Sequence, residues 1–363
     1  MIALRLLLSM LSLLALGMLA LYAASALKGS QEFEDPAYYL WKQSGAVGLG
    51  LVCIGLLWAV PQDWLRAAPL PLYLFSLLCL VLVQVPGLGH SAGGAQRWLQ
   101  IGMLTWQPSE LAKLAVVLLL AKNFSLKRYD PQKASSLLST AVIVLPVIGL
   151  VLCQPDFGTS VLIASVSFLL LLLSGVSRNT LLGIAMPVVG SALYAVFSAP
   201  YRLKRLLSFL DPWGNFRQGG FQVVQSFVGF HNGGVAGVGL GESKQKLYYL
   251  PEVHTDFIMA LVAEEFGLVG SAFVCGVYAY IVFLGFEVGH RHPQPFFKYL
   301  SYGLTSLLGM QTLCNLGVVM GLLPTKGLAL PFMSSGLSSL LAYIFLLGLL
   351  ARVSKVDSQG LPC

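Results

Sequence analysis

Residues 247–265 read LYYLPEVHTDFIMALVAEE and bring Glu252, His254, Thr255 and Asp256 to the lip of an apolar run that starts at Phe257. A carboxylate at membrane depth is expensive to hold, and ionisable groups in that position mark functional sites. A positioned carboxylate can serve as a general base toward a hydroxyl. Asp256 is the first candidate for that role. His254, whose ordinary pKa suits proton transfer, ranks second, either as a base or as the residue that orients Asp256 or the substrate. Glu252 ranks third. A purely structural reading competes for Asp256, because Thr255 and Asp256 also stand where the N-cap of the following helix is expected. Further along the same run, at least one of Glu264 and Glu265 is expected to pair with a cation inside the bundle.

The segment leading to this run, 199–256, is the only sizeable hydrophilic stretch in the chain. It carries Arg202, Lys204 and Arg205 at its start and Lys244 and Lys246 near its end. Cations of this kind suit a phosphate-bearing ligand through charge-assisted hydrogen bonds. The alternative is binding of anionic lipid headgroups at the interface. The glycines between them match no phosphate-loop pattern and are read as turns and sites of close backbone approach.

Three more polar segments sit between apolar runs. The first contains Arg97 and Trp98 and then Gln107-Pro108-Ser109-Glu110, with Lys113 three residues further on. Ser109 is expected to cap the helix it opens. Glu110 and Lys113 share a helix face and can pair, either as a structural ion pair or as part of a polar cavity lining. The second, Gln154-Pro155-Asp156-Phe157-Gly158-Thr159, is a tight turn in which Asp156 reads equally as a helix cap or a site residue. The third runs from Leu322 through Lys326 to Gly336. Its Pro324 and Pro331 predict a broken helix or re-entrant turn, a backbone tolerated only where it lines a cavity or is buried in protein. The polar stretch at 28–42 reads as a solvated turn.

The elements that must position these groups are hydrophobic helices. The chain has 363 residues, 56% of them hydrophobic and only 10% charged, with a mean hydropathy of +0.78. A soluble domain carries about 25% charge, so an all-α polytopic membrane protein is expected. Spans of roughly 20 apolar residues fall at about 4–27, 44–61, 70–86, 109–121, 138–153, 159–175, 180–198, 257–285, 299–322 and 332–351. These make about ten transmembrane helices in a single membrane domain over 1–363, with a large extracytoplasmic substrate loop, 199–256, between spans seven and eight. With the termini inside, eleven of the Lys and Arg residues lie on the inner side and eleven on the outer. Setting the long loop aside leaves eleven against five, which favours cytoplasmic termini. The loop's own excess of cations then opposes the topological bias and points to function. The net charge of +7 reflects positive inner loops and a surface for anionic groups rather than nucleic acid. The six cysteines show no paired spacing and are read as small membrane hydrophobes.

Several of these segments are similar to the SEDS family, the shape, elongation, division and sporulation proteins of bacteria. They are Gly94-Ala95-Gln96-Arg97-Trp98, Gln107-Pro108-Ser109-Glu110-Leu111-Ala112-Lys113, Gln154-Pro155-Asp156-Phe157-Gly158-Thr159, the run from Lys204 to Trp213, Tyr249-Leu250-Pro251-Glu252-Val253-His254-Thr255-Asp256-Phe257 and Leu323-Pro324-Thr325-Lys326-Gly327. The resemblance covers about residues 8–352 in the same order and is stronger to the division branch than to the elongation branch. It implies a peptidoglycan glycosyltransferase that polymerises lipid II on the outer face of the cytoplasmic membrane, at the division septum. It also implies partners: a class B penicillin-binding protein transpeptidase and other division membrane proteins. The family's catalytic aspartate falls on Asp256.

That chemistry agrees with the residues. The acceptor hydroxyl needs a base, supplied by Asp256. The pyrophosphate leaving group needs positive charge rather than a carboxylic acid to protonate it, unlike glycoside hydrolysis. Arg202, Lys204, Arg205, Lys244 and Lys246 are candidates for that charge, and Arg97 and Lys326 are candidate substrate contacts. Glu110, Lys113, Asp156, Glu252 and His254 are candidate substrate contacts. No certain cofactor is expected. A divalent cation, magnesium or manganese, can share the pyrophosphate load, although no protein cage for one is evident. A flippase, the main rival, needs polar groups toward both faces, and the polar segments here gather on one.

Overall fold

The computed structural model describes all residues except 93–94, 103, 199, 217–219, 244, 246–253 and 356–363. It is mostly helical. In chain order the helices are α1 (Ile2–Phe33), α2 (Tyr38–Ala59), α3 (Gln62–Ala67), α4 (Pro69–Leu82), α5 (Pro108–Phe124), α6 (Ala134–Cys153), α7 (Phe157–Leu173), α8 (Arg178–Phe197), α9 (Pro200–Leu210), α10 (Phe221–Gly233), α11 (Ile258–Arg291), α12 (Pro295–Val319) and α13 (Leu337–Val353). Among the described residues α1, α2, α6, α8 and α11 are long and apolar enough to cross a membrane, and α4, α7 and α13 are shorter apolar helices.

The sequence expectations need four corrections. The stretch 28–42 is not a solvated turn: α1 continues to Phe33 and α2 begins at Tyr38, where the stacked rings of Phe33 and Tyr38, 3.8 Å apart, tighten the corner. The fold is not purely helical. Strands β1 (Gly89–Ala92), β2 (Ala95–Ile101) and β3 (Leu104–Trp106) form a small antiparallel sheet in the order β1-β2-β3, with His90 opposite Trp98 and Leu99 opposite Trp106. Leu99 packs on Cys79 and Val83 at the end of α4. The 199–256 segment contains two helices, α9 and α10. Finally, 332–336 is not helix but the end of an irregular re-entrant segment, 321–336, that precedes α13.

The core is built around α12, which packs on α5, α7, α11 and α13. It carries a buried polar stripe, Ser301, Thr305, Ser306, Gln311, Thr312 and Asn315, which an isolated apolar span would not tolerate. Helix α11 is broken at Gly267, whose φ of 63° lies in the left-handed region. The break frees the carbonyls of Glu264 and Glu265, and the loop after α10 recovers them. Val238 N–H donates to Glu264 O (2.9 Å) and Gly239 N–H to Glu265 O (3.1 Å). Beyond the break, Leu268 N–H donates to Gly234 O (3.0 Å) and Val269 N–H to Val235 O (3.2 Å). A Cβ at Gly267 would lie 2.4 Å from Gly237 N, so the approach requires glycine.

Candidate active site

The turns at one end of the bundle converge. Asp256 stands two residues before α11, and the main chain around it is clamped to the re-entrant segment. Nδ2 of Asn315 donates to Asp256 O (2.8 Å) and to Leu328 O (2.7 Å). Oγ of Ser334 donates to Thr255 O and accepts from Leu330 N–H (2.8 Å). Ser335 N–H donates to His254 O (2.8 Å). The N-cap of α11 is Phe257, whose side chain makes no capping hydrogen bond. The Asp256 carboxylate lies over Gly327, where a Cβ would come within 3.4 Å of Oδ2.

Next to Gly327 is Lys326, which is half-buried. Desolvation by burial pushes its ammonium below the ordinary lysine range. Its Nζ lies 5.7 Å from the centre of the Phe157 ring, and the guanidinium of Arg202, from α9, lies 5.4 Å from the same ring. Nη1 of Arg205 donates to Thr325 O (3.2 Å). Helix α9 places Arg202 and Arg205 three residues apart on one face, and that face meets the re-entrant segment and the start of α7.

The other side of Phe157 is anionic. Asp156 is buried and accepts from Thr159 N–H (3.1 Å) and Thr159 Oγ1 (2.8 Å), capping α7. It also faces Arg97 Nε across 3.9 Å. Arg97 Nη2 donates to Pro155 O (2.7 Å). The cap reading of Asp156 holds, and the same carboxylate stands beside the Phe157 ring and Arg97. Strand β2 alternates its faces: Arg97 and Leu99 point toward this turn and the α4 end, while Trp98 lines a cavity of about 180 Å³ with Lys42, Gln43, Thr105 and Ser335. The His254 ring lies 6.0 Å from that of Tyr39, which lines the same cavity.

Of the expected site residues, Arg97, Asp156, Arg202, Arg205, His254, Asp256 and Lys326 gather at this end. Lys204 is exposed on α9 and forms no ion pair or hydrogen bond with the described residues. Lys244, Lys246 and Glu252 lie outside the described residues. Glu110 and Lys113 do pair, at 2.9 Å, but both are buried. Lys113 also donates to Gln311 Oε1 (2.7 Å), which accepts from the Tyr343 hydroxyl, and Gln311 Nε2 donates to Ala329 O (2.8 Å). This network ties α5, α12 and α13 to the underside of the re-entrant segment. The expected Ser109 cap is absent: the N-cap of α5 is Gln107, and Ser109 Oγ is buried without a partner. Glu264 accepts from neutral donors, Asn232 Nδ2 (3.1 Å), Ser243 Oγ and Gln245 N–H (3.3 Å).

Sequence reasoning missed Asn315, Gln311 and the Phe157 ring. The two amides were findable: they are four apart on an apolar helix, on one face, and polar side chains inside a span need partners. Among the described residues no three His, Cys, Asp or Glu side chains gather as metal ligands.

This site and fold have relatives. The model of the family described as cell cycle protein, covering FtsW, RodA and SpoVE, matches residues 4–359. The chain belongs to that family. Family members include proteins named "Probable peptidoglycan glycosyltransferase FtsW". The one from Geobacter metallireducens is 37% identical over 97% of this chain and 94% of its own length. The one from Coxiella burnetii is 39% identical over 95% and 94%. Among solved structures, a chain from work on the structural coordination of polymerization and crosslinking by a peptidoglycan synthase complex matches with a TM-score of 0.81. It is 33% identical, with 96% of each chain covered. Thermus thermophilus rod shape determining protein RodA matches with a TM-score of 0.70 at 29% identity, over 96% of this chain and 95% of that one. As a member of this family with several apolar helices, the chain is a multi-pass membrane protein.

Proposed function

We propose that the chain is a peptidoglycan glycosyltransferase that polymerises lipid II, with Asp256 as general base. The observation that carries the site assignment is the placement of Asp256. Its main chain is clamped to α12 and to the re-entrant segment, and its carboxylate lies over Gly327, beside Lys326. Asp256 takes the proton of the acceptor sugar hydroxyl, whose oxygen bonds to the anomeric carbon of the donor. The bond from that carbon to the undecaprenyl pyrophosphate breaks, and its electron pair leaves on the pyrophosphate. Arg202, Arg205 and Lys326 hold the developing negative charge, with Lys244 and Lys246 assigned the same work from sequence. Arg97 and Asp156 fix the turn that carries Phe157, against which two of those cations rest. Lys204, Glu252, Glu110 and Lys113 are supports, the last two through the re-entrant segment. A divalent cation would ride on the pyrophosphate oxygens and add positive charge there; the described residues gather no cage to hold one alone.

The helices α1, α2, α4, α5, α6, α7, α8, α11, α12 and α13 are assigned as the ten spans of one membrane domain, with the 199–256 loop and the active site outside and both termini in the cytoplasm. The relatives named FtsW support a role at the division septum. The likeness to a complex that couples polymerization to crosslinking supports a class B penicillin-binding protein as partner. The test is polymerisation by the purified protein with its partner, given lipid II in detergent. Asp256→Asn should abolish penicillin-resistant glycan synthesis while the protein still inserts and binds its partner. Retained polymerisation by that variant would overturn the base assignment.

A further inference from the structure

At the opposite end of the bundle, α4, α5 and α6 border an open groove of about 520 Å³ that the proposed reaction does not use. Its apolar stretch is formed by the exposed Leu70, Leu138 and Val142 with the half-buried Leu119, and its polar end by Lys122, Asn123, Arg128 and Ser139. The polarity is graded along the helices. Lys122 and Asn123 end α5 one turn beyond Leu119, and Ser135 and Ser139 precede Val142 by one to two turns on α6. At this polar end Asn123 Nδ2 donates to Ser139 Oγ (3.0 Å). Deeper, the Tyr73 hydroxyl of α4 donates to Ile143 O (2.8 Å), tying the walls together.

The charge at the mouth is uncompensated. Neither Lys122 nor Arg128 forms an ion pair with a described residue. The carboxylate of the α5–α6 loop, Asp130, is already engaged by Lys133 (3.3 Å) and by Gln132 N–H (3.0 Å). A pair of free cations above neutral hydrogen-bonding groups, with a hydrocarbon slot beneath them, matches a phosphodiester headgroup above its ester linkage and acyl chain. Basic pockets between spans on the cytoplasmic side bind anionic headgroups.

We propose that this cavity is a binding site for one anionic phospholipid of the inner leaflet, its phosphate held by Lys122 and Arg128 and an acyl chain lying along Leu119, Leu138 and Val142. The leaflet rests on the topology given above, whereas the lipid chemistry does not.

The experiment is native mass spectrometry of the full chain in detergent, titrated separately with dioleoylphosphatidylglycerol and dioleoylphosphatidylcholine. One phosphatidylglycerol should be retained in preference to phosphatidylcholine. Lys122→Gln with Arg128→Gln should weaken that retention roughly 20-fold, as expected for losing two interfacial cations. Leu138→Trp, which fills the slot and leaves both cations, should also expel the lipid, and Lys122→Arg should keep it. Equal retention of the two lipids, or unchanged phosphatidylglycerol retention in the double glutamine variant, would overturn the site. So would full competition by inorganic phosphate at matched concentration, since that shows an anion site without a lipid. Thiol labelling in spheroplasts of Lys127→Cys, introduced after the six native cysteines are replaced by alanine, separates the two readings. Labelling from outside overturns the leaflet and the topology together. Loss of lipid selectivity with labelling only from inside overturns the lipid site alone.

Discussion

Lys326 shows how the active end trades one property against another at a single side chain. Burial lowers its pKa, yet the cationic form is the one that can hold a pyrophosphate. Activity should therefore fall on the alkaline side at a pH below the ordinary lysine value of about 10.4. Stability has the opposite sign. The folded pKa lies below the unfolded one, so between the two the unfolded chain binds more protons, and stability rises as pH climbs through that window. Lys326→Arg should move the alkaline limb of a pH–rate profile upward, and an unmoved limb would exclude Lys326 as its cause. The Glu110–Lys113 pair differs, because it is sealed beneath the re-entrant segment. Lys113→Met leaves a buried carboxylate unpaired and should cost about 3–5 kcal/mol. Replacing Glu110 with Met as well should recover much of that loss in thermal unfolding. A double variant as damaged as the sum of the singles would show that the two act independently.

The elements were legible in proportion to how far hydropathy alone determines them. The apolar runs of the sequence coincide with α1, α2, α4, α5, α6, α7, α8, α11 and α12 to within a few residues at most ends, because a helix in hydrocarbon must satisfy its own backbone. What hydropathy cannot report was missed. The sheet of 89–106 is short and interrupted by glycines. Helix α9 reads as a basic loop until Arg202 and Arg205 are seen to share a face. The break in α11 is hidden, because a single glycine in a long helical run carries no stop signal and the partner glycine, Gly237, is thirty residues away in sequence. The break matters because the loop it holds leads into Asp256. Gly267→Ala forces a Cβ into the backbone of Val235 and Gly237 and adds left-handed strain of about 1–3 kcal/mol. It should lower the unfolding temperature and polymerase activity together. Gly276→Ala in the same helix, where a Cβ meets nothing within 4 Å, should be neutral or slightly stabilising. Equal effects of the two would refute the structural role of the break.

At the scale of the whole molecule, the distribution of positive charge links topology to function. The 199–256 loop carries six Lys and Arg on the side that the remaining counts assign to the exterior, against the bias that orients membrane proteins. The structure gives two of those cations an occupation, since Arg202 rests on Phe157 and Arg205 reaches Thr325. Both stand beside the Lys326-Gly327 turn under Asp256. If the loop's charge serves the reaction, neutralising it should impair catalysis and leave orientation alone. Arg202→Gln with Arg205→Gln should lower polymerisation at least about tenfold, the smallest effect expected for losing charge stabilisation of a leaving group. Lys127→Cys in that background, with the six native cysteines replaced by alanine, should still label only from the cytoplasm, because ten inner cations remain. Normal activity would mean that these arginines do not hold the pyrophosphate, and an inverted labelling pattern would overturn the topology itself.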